Sequence, residues 1–97
     1  MSAAAYHDRV LVRDMLERAV TRFHVARKRP EHADKELLTL ARECANGAFQ
    51  DKVGEIPVQR REIVARKYMD ACAAKFAVEV PRALLERDEE LEPELVS

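Results

Sequence analysis

The sequence predicts an all-α fold, a small bundle of three main helices. Its 97 residues suit a single domain, because chains of this size rarely build two cores. Two glycines and four prolines are fewer turn-forming residues than a β-rich fold requires. Apolar residues also recur at spacings of three and four, the period of a helix with a buried side. We expect helices at about 3–28, 31–52 and 57–80, and a short helical segment at 81–90.

The first predicted helix carries one apolar stripe of the kind found in helical bundles. Its stripe residues follow spacings of four, three, four and three: Val12, Leu16, Ala19, Phe23 and Ala26. Three basic residues at 27–29 complement the negative end of the helix dipole. Pro30 then prevents simple continuation, so we expect this helix to end near residue 28.

The second predicted helix has a broad apolar side and an internal glycine. The residues of the apolar side are Leu37, Leu40, Ala41, Cys44 and Ala48. Asn46 and Gly47 together could end the helix, since both tolerate the left-handed conformation. Ala48 and Phe49 nevertheless stay in phase with the stripe. We therefore expect the helix to continue to about residue 52, at a cost of about 1 kcal/mol for Gly47.

The third predicted helix carries two apolar stripes, so it needs cover from two directions. The first stripe is expected to face the other helices and consists of Val58, Ala65, Met69, Cys72, Phe76 and Val80. The second stripe has no evident partner within the chain and consists of Val64, Ala71, Ala74 and Val78. Small residues such as Ala71 and Ala74 let another helix approach closely. We predict that this second stripe is the face for a partner or for self-association, and the alternative is that it packs on the first helix of the same chain.

A basic cluster at the start of the third helix has the outline of a DNA-recognition element. The cluster consists of Arg60, Arg61, Arg66 and Lys67, and a helix and a glycine-containing turn precede it. The turn from Phe49 to Pro57 is longer than the three or four residues usual in such motifs. We therefore favour a solvated face that pairs with nearby acids and keep DNA binding as an alternative.

The sequence predicts no catalytic, metal or cofactor site. Its two glycines do not form a phosphate-binding loop, and its serines lie only at positions 2 and 97. The histidines and cysteines are isolated rather than set at metal-ligand spacings. Cys44 and Cys72 both lie on apolar stripes, where a free thiol behaves as a small hydrophobe. We expect a non-enzymatic protein whose cysteines are buried and reduced, in the cytoplasm.

The charge pattern narrows the classes of partner. A net charge of −1 excludes binding to nucleic acid by bulk positive charge alone, and no apolar run is long enough to span a membrane. Residues 1–90 are expected to form the bundle domain. The acidic residues 91–97 are expected to form a frayed tail, because acid opposes the dipole at a helix C-terminus.

These observations favour a small helical protein that acts by binding other proteins through its helical faces, as an adaptor, inhibitor or regulator. A protein partner and self-association are expected, with a dimer favoured. The first alternative is a dimeric DNA-binding regulator that uses the basic start of the third helix. The second is a protein that binds a small ligand or nucleotide at a subunit interface.

Overall fold

The computed structural model describes residues 3–91. This part of the chain forms three α-helices and contains no strand. The helices are α1, Ala3–Ala26; α2, Leu37–Lys52; and α3, Arg61–Leu91. Short 3₁₀ turns at Pro30–His32, Val53–Glu55 and Val58–Arg60 occupy the connections. The predicted all-α bundle of three main helices is confirmed. Most of the predicted acidic tail, from residue 92 on, lies outside the described residues.

The helices run up, down and up, so that α1 and α3 are parallel. Asp8 near the start of α1 pairs with Arg60, and Arg27 just after its end pairs with Glu86. The Tyr68 hydroxyl of α3 donates a hydrogen bond to the carbonyl of Ala45 in the antiparallel α2, at 2.7 Å. The Cα atoms extend over 59 × 25 × 14 Å with a radius of gyration of 16.1 Å. A compact chain of this length would have about 12.5 Å, so the bundle is elongated and leaves much helix surface uncovered.

The core is a single apolar cluster to which all three helices contribute. Phe23 of α1 is fully buried and meets Phe76 of α3 edge to face, with ring centroids 5.3 Å apart. The predicted α2 side is confirmed, because each of its five residues is buried. From α3 and the turn before it, the core takes Ile56, Val64, Tyr68, Cys72, Phe76 and Ala83. Both cysteines are free and buried as predicted, and burial raises the pKa of each thiol.

The N-terminal end of α2 differs from its prediction. The helix begins at Leu37 rather than near residue 31, and a 3₁₀ turn at Pro30–His32 comes first. The His32 ring donates from Nδ1 to the carbonyl of Ala26 at 2.8 Å, which satisfies an acceptor at the end of α1. The segment that joins the two helices thus caps the C-terminal end of α1 before α2 begins.

Gly47 lies inside α2, as predicted, and the structure gives a reason for it. The Arg22 side chain of α1 lies over this position and pairs with Asp51 one turn further along α2. A Cβ atom at position 47 would come within 2.7 Å of Nη1 of Arg22. A side chain at position 47 would displace the end of the flexible Arg22 side chain, so glycine leaves this position open to the contact between Arg22 and Asp51.

The helical segment predicted at 81–90 is the continuation of α3 rather than a separate element. Pro81 lies within α3 and is exposed, so its ring faces outward and displaces no core side chain. The residues beyond it are anchored, since Ala83 is buried and Nη1 of Arg87 donates to the Lys35 carbonyl at 3.1 Å. Tertiary contacts of the residues after Pro81 therefore compensate for the backbone hydrogen bond that Pro81 cannot make.

The contact between α1 and α3 is rich in charged side chains, and we call it the α1–α3 seam. At one end, buried Asp8 accepts from Arg60 and from Nζ of Lys67, the latter at 3.4 Å. Near the other end, buried Glu79 accepts from Nε2 of His24 at 3.1 Å, and Nζ of Lys75 lies 3.6 Å from it. Each buried carboxylate contacts a defined side chain across the seam, so the seam sets the register of α3 against α1.

Candidate interaction groove

A concavity with a volume of about 830 Å³ runs between α2 and α3, and we call it the α2–α3 groove. From α2 it is lined by Leu38, Ala41, Arg42, Ala45, Asn46, Phe49 and Gln50. From α3 it is lined by Ala65, Tyr68, Met69, Cys72, Ala73, Phe76 and Ala77. Apolar residues are the majority on both sides, so the groove is suited to apolar surface rather than to a charged ligand.

The sequence makes this groove by placing short side chains where α2 and α3 face each other. Ala41 and Ala45 on α2, together with Ala65, Ala73 and Ala77 on α3, leave space above the core. The floor consists of the buried Tyr68, Cys72 and Phe76.

The floor of the groove is held firmly by aromatic and polar contacts. Phe49 stacks on Tyr68 with ring centroids 5.9 Å apart. The Tyr68 hydroxyl is satisfied by the Ala45 carbonyl, and burial is the main cause that raises its pKa, so it stays protonated. The floor is therefore preorganised, which lowers the entropy cost of binding.

The edges of the groove hold exposed apolar side chains and a polar rim. Met69 is 68% exposed and Leu38 is 44% exposed, one on each side of the groove. Arg42, Asn46 and Gln50 are exposed along the α2 side. Arg42 forms no ion pair with another residue of the described part of the chain. The groove thus combines apolar anchors with a rim that offers one free positive charge and two amides.

The exposure of Met69 overturns part of the predicted core of α3. Met69 and Val58 were expected to face the other helices, whereas both are exposed; Cys72 and Phe76 are buried as predicted. Tyr68 is buried in the place expected for Met69. The reason is that Tyr68 contacts α2 through both its hydroxyl and its ring, whereas Met69 lies at the edge of the α2–α3 groove.

The residues of the predicted partner face also differ in burial. Val64 is fully buried in the core of this chain, so it cannot contact a partner, and its inclusion was wrong. Ala71 is half-buried beside the α1–α3 seam. Ala74 and Val78 are exposed, and the side chain of Val78 keeps 53% of its surface open. Only the last two residues thus remain on an open surface.

The predicted basic patch is largely engaged within the chain. Arg60 and Lys67 both contact Asp8, and Nε of Arg61 donates to the Ile56 carbonyl at 3.2 Å. The Arg60 hydrogen bond, opposed in part by burial, holds the pKa of Asp8 below its usual 3.8. Arg66 is the most open of the four and lies 3.7 Å from Glu62 on an exposed surface. The cluster does not present four free cations to a phosphate backbone, so the geometry gives DNA binding no particular support.

Two buried carboxylates were not identified from the sequence, although helical phase could have indicated both. Asp8 precedes Val12, Met15 and Ala19 at spacings of four, three and four, which places it on the buried side of α1. Glu79 lies in the same way between the buried Phe76 and Ala83 of α3. An acid in phase with a core stripe indicates a buried ion pair when a cation is available on a neighbouring helix.

Comparison with known proteins adds no further assignment. No protein-family model matches this chain, and no curated protein or solved structure is similar to it. Within residues 3–91, no group of three or more His, Cys, Asp or Glu side chains is placed to hold a metal ion. None of the described helices has the length and apolarity needed to cross a bilayer.

Proposed function

We propose that this protein is a non-enzymatic adaptor, inhibitor or regulator that binds an amphipathic helix of a protein partner in the α2–α3 groove. The observation that carries the proposal is the pair of exposed side chains, Met69 and Leu38, on either side of a preformed apolar floor. Exposed apolar surface of this kind, bordered by polar residues, is typical of protein-interaction sites.

The shape of the groove favours a helix as its occupant. Because α2 and α3 are antiparallel neighbours, the channel between them is straight, and its alanines allow close approach of another backbone. A helix that lies along it would place apolar side chains at positions i, i+3, i+4 and i+7 toward the floor. Met69 adds adaptability, since its unbranched side chain fills irregular space around different anchors.

The rim defines the polar side of the partner. Arg42 on α2 is exposed and without an ion pair among residues 3–91, so a carboxylate beside the apolar stripe of the partner helix would complement it. Asn46 and Gln50 offer donors and acceptors to the next turns of the same helix. The expected partner segment is therefore amphipathic, with an acidic residue on the flank that faces α2.

The energies are adequate for a regulatory interaction. Covering the exposed parts of Leu38 and Met69 contributes on the order of 1–2 kcal/mol each. Added to the floor contacts and offset by ordering costs, this corresponds to micromolar rather than nanomolar affinity. The two free, buried thiols support a reducing compartment, in keeping with action in the cytoplasm.

The experiment is selection from a display library of helical peptides, each about 18 residues long, against the full chain. We expect the selected peptides to carry the i, i+3, i+4 and i+7 apolar pattern and an acidic flank. Their Kd, measured by fluorescence polarisation, should rise at least about tenfold for Met69→Glu, which loses apolar contact and adds charge. Arg42→Glu should raise the Kd of the acidic peptides about fivefold.

The matched control is Val25→Glu, which places the same new charge at an exposed apolar residue of α1 away from the groove. This variant should bind the selected peptides within about twofold of the wild type. The proposal is wrong if the peptides bind Met69→Glu as well as the wild type, or if the library yields no helical binder.

A further inference from the structure

A second apolar surface lies on the side of α3 that faces away from both other helices. We call it the outer face of α3. Its members are all exposed: Ala73, Ala74, Ala77, Val78, Pro81, Leu84 and Leu85. The three largest, Val78, Leu84 and Leu85, keep 53%, 49% and 64% of their surface open. Ala73 and Ala77 also line the α2–α3 groove, whereas the other five do not.

The outer face contains no charged residue over about four turns of helix. Residues 71–85 include three charged side chains, Lys75, Glu79 and Arg82, and helical geometry places all three toward α1. Lys75 and Glu79 indeed meet at the α1–α3 seam. A solvent-facing side of a monomeric helix normally carries charged residues, so this one has the composition of a covered surface.

Charged residues border the outer face at both ends, and the only cation among them is Arg66 at the first end. Arg66 and Asp70 lie at the start of the face and Asp88 and Glu89 follow it, whereas Lys67 contacts Asp8 in the α1–α3 seam. Asp88 and Glu89 are exposed and form no ion pair with another described residue, and Arg66 has only the exposed contact with Glu62. The face is therefore apolar in the middle, has one cation beside one acid at its first end, and has two acids at its second end.

We infer that a second copy of this chain covers the outer face, in an antiparallel pair of α3 helices. A two-fold symmetric contact brings the same surface of both copies together, so that surface must complement itself. Antiparallel pairing centred between Ala77 and Val78 places Arg66 opposite Asp88 of the second copy. A parallel pair would instead oppose like charges at both ends.

The size of the face suits a modest dimer. From Arg66 to Glu89 the helix is about 35 Å long. Two such faces bury on the order of 1,000 Å² in total, near the lower limit of a specific interface. The alanines at the centre allow the two helices to approach closely, while Val78, Leu84 and Leu85 supply most of the apolar area.

Sedimentation equilibrium of the full chain tests the dimer. The wild type should have twice the 11.1 kDa mass of one chain at micromolar to millimolar concentrations. Val78→Glu should be monomeric with an unchanged helical circular dichroism spectrum, while Val25→Glu should remain dimeric. A wild type that stays monomeric throughout would overturn the inference and leave the face to a different partner.

Charge reversal tests the orientation without depending on the apolar substitution. Arg66→Glu and Asp88→Arg should each weaken the dimer about fivefold, and the double variant should recover most of the loss. If the double variant is weaker than both single variants, antiparallel pairing of these residues is excluded.

Engineered thiols give a second measure of orientation. In an antiparallel pair, two copies of Ala77→Cys lie close enough for a disulfide, whereas two copies of Leu84→Cys lie about 20 Å apart along the axis. Mild oxidation should link the first variant and not the second. Linkage of both to equal extent would show a parallel pair and overturn the inference.

Discussion

Helix α3 contacts α1 mainly through charged side chains, whereas it contacts α2 through apolar side chains that leave the α2–α3 groove open. At the seam, buried Asp8 contacts Arg60 and Lys67, and buried Glu79 contacts Lys75 and the ring of His24. At the groove, Tyr68 and Phe76 are buried but Met69 is mostly exposed. The same helix thus has one closed side and one open side.

The two sides perform different physical tasks. Burying an ion pair costs desolvation energy, so the seam adds less to stability than its number of contacts suggests. It does fix position, because sliding α3 by one turn would separate Asp8 from Arg60 and Glu79 from His24. Apolar contacts at the groove are less directional and would tolerate such a shift. We infer that the register fixed by the seam keeps the groove in its shape.

The largest expected effect comes from the core residue at which the two sides meet. Phe23→Ala removes a fully buried ring that packs on Phe76. We expect a loss of about 4 kcal/mol in the free energy of unfolding, which is a large part of the 5–15 kcal/mol typical of a domain. Urea denaturation followed by circular dichroism measures it. Val25→Ala, at an exposed site on the same helix, should cost less than about 1 kcal/mol. A loss below about 2 kcal/mol for Phe23→Ala would show that this contact is not central.

A smaller effect is expected at the seam, and it should depend on pH. Asp8→Asn leaves Arg60 and Lys67 without their carboxylate, and we expect a loss of about 2 kcal/mol at pH 7. The pKa of Asp8 is lowered in the folded state, so its ionisation stabilises the fold above the unfolded pKa of about 3.9. That stability is lost as the pH falls from about 4 through the folded pKa.

The pH dependence separates this role from a general loss of packing. Wild-type stability should fall steeply below about pH 4, whereas Asp8→Asn should show a shallower fall over the same range. Asp14→Asn is the matched control, because Asp14 also pairs with basic residues but keeps 43% of its side-chain surface open. It should lose much less stability than Asp8→Asn. Equal acid sensitivity in the wild type and Asp8→Asn would contradict the role of the seam.

The sequence was sufficient to identify the buried side of α2 but not that of α3, and the reason lies in the width of their apolar arcs. On α2 one apolar arc faces the core, and helical phase alone identified its buried residues. On α3 apolar residues occupy most of the circumference between residues 71 and 85. Phase cannot say which part of such an arc is covered, because that depends on where α1 lies.

The α2–α3 groove was not among the sequence predictions. A helical face on α3 was expected to bind a partner, and Ala74 and Val78 are exposed there. The groove itself could not be predicted, because it needs the separation of α2 and α3. Tyr68 was not assigned to the core, since its hydroxyl needs the Ala45 carbonyl 23 residues away. The pairing of Arg60 with Asp8 spans 52 residues and was equally invisible to local spacing.

The smallest expected effect on stability is at the open side of α3. Met69→Glu changes a side chain that is 68% exposed, and glutamate is as good a helix former as methionine. We expect the free energy of unfolding to change by less than about 0.5 kcal/mol and the Tm by no more than about 4 °C, measured by urea and thermal denaturation. Phe76→Ala, in the floor of the same groove, is the matched contrast and should lower the free energy of unfolding by about 3 kcal/mol. If Met69→Glu destabilised the chain as much as Phe76→Ala, the side chain of Met69 would be part of the fold, and the groove would be closed rather than open.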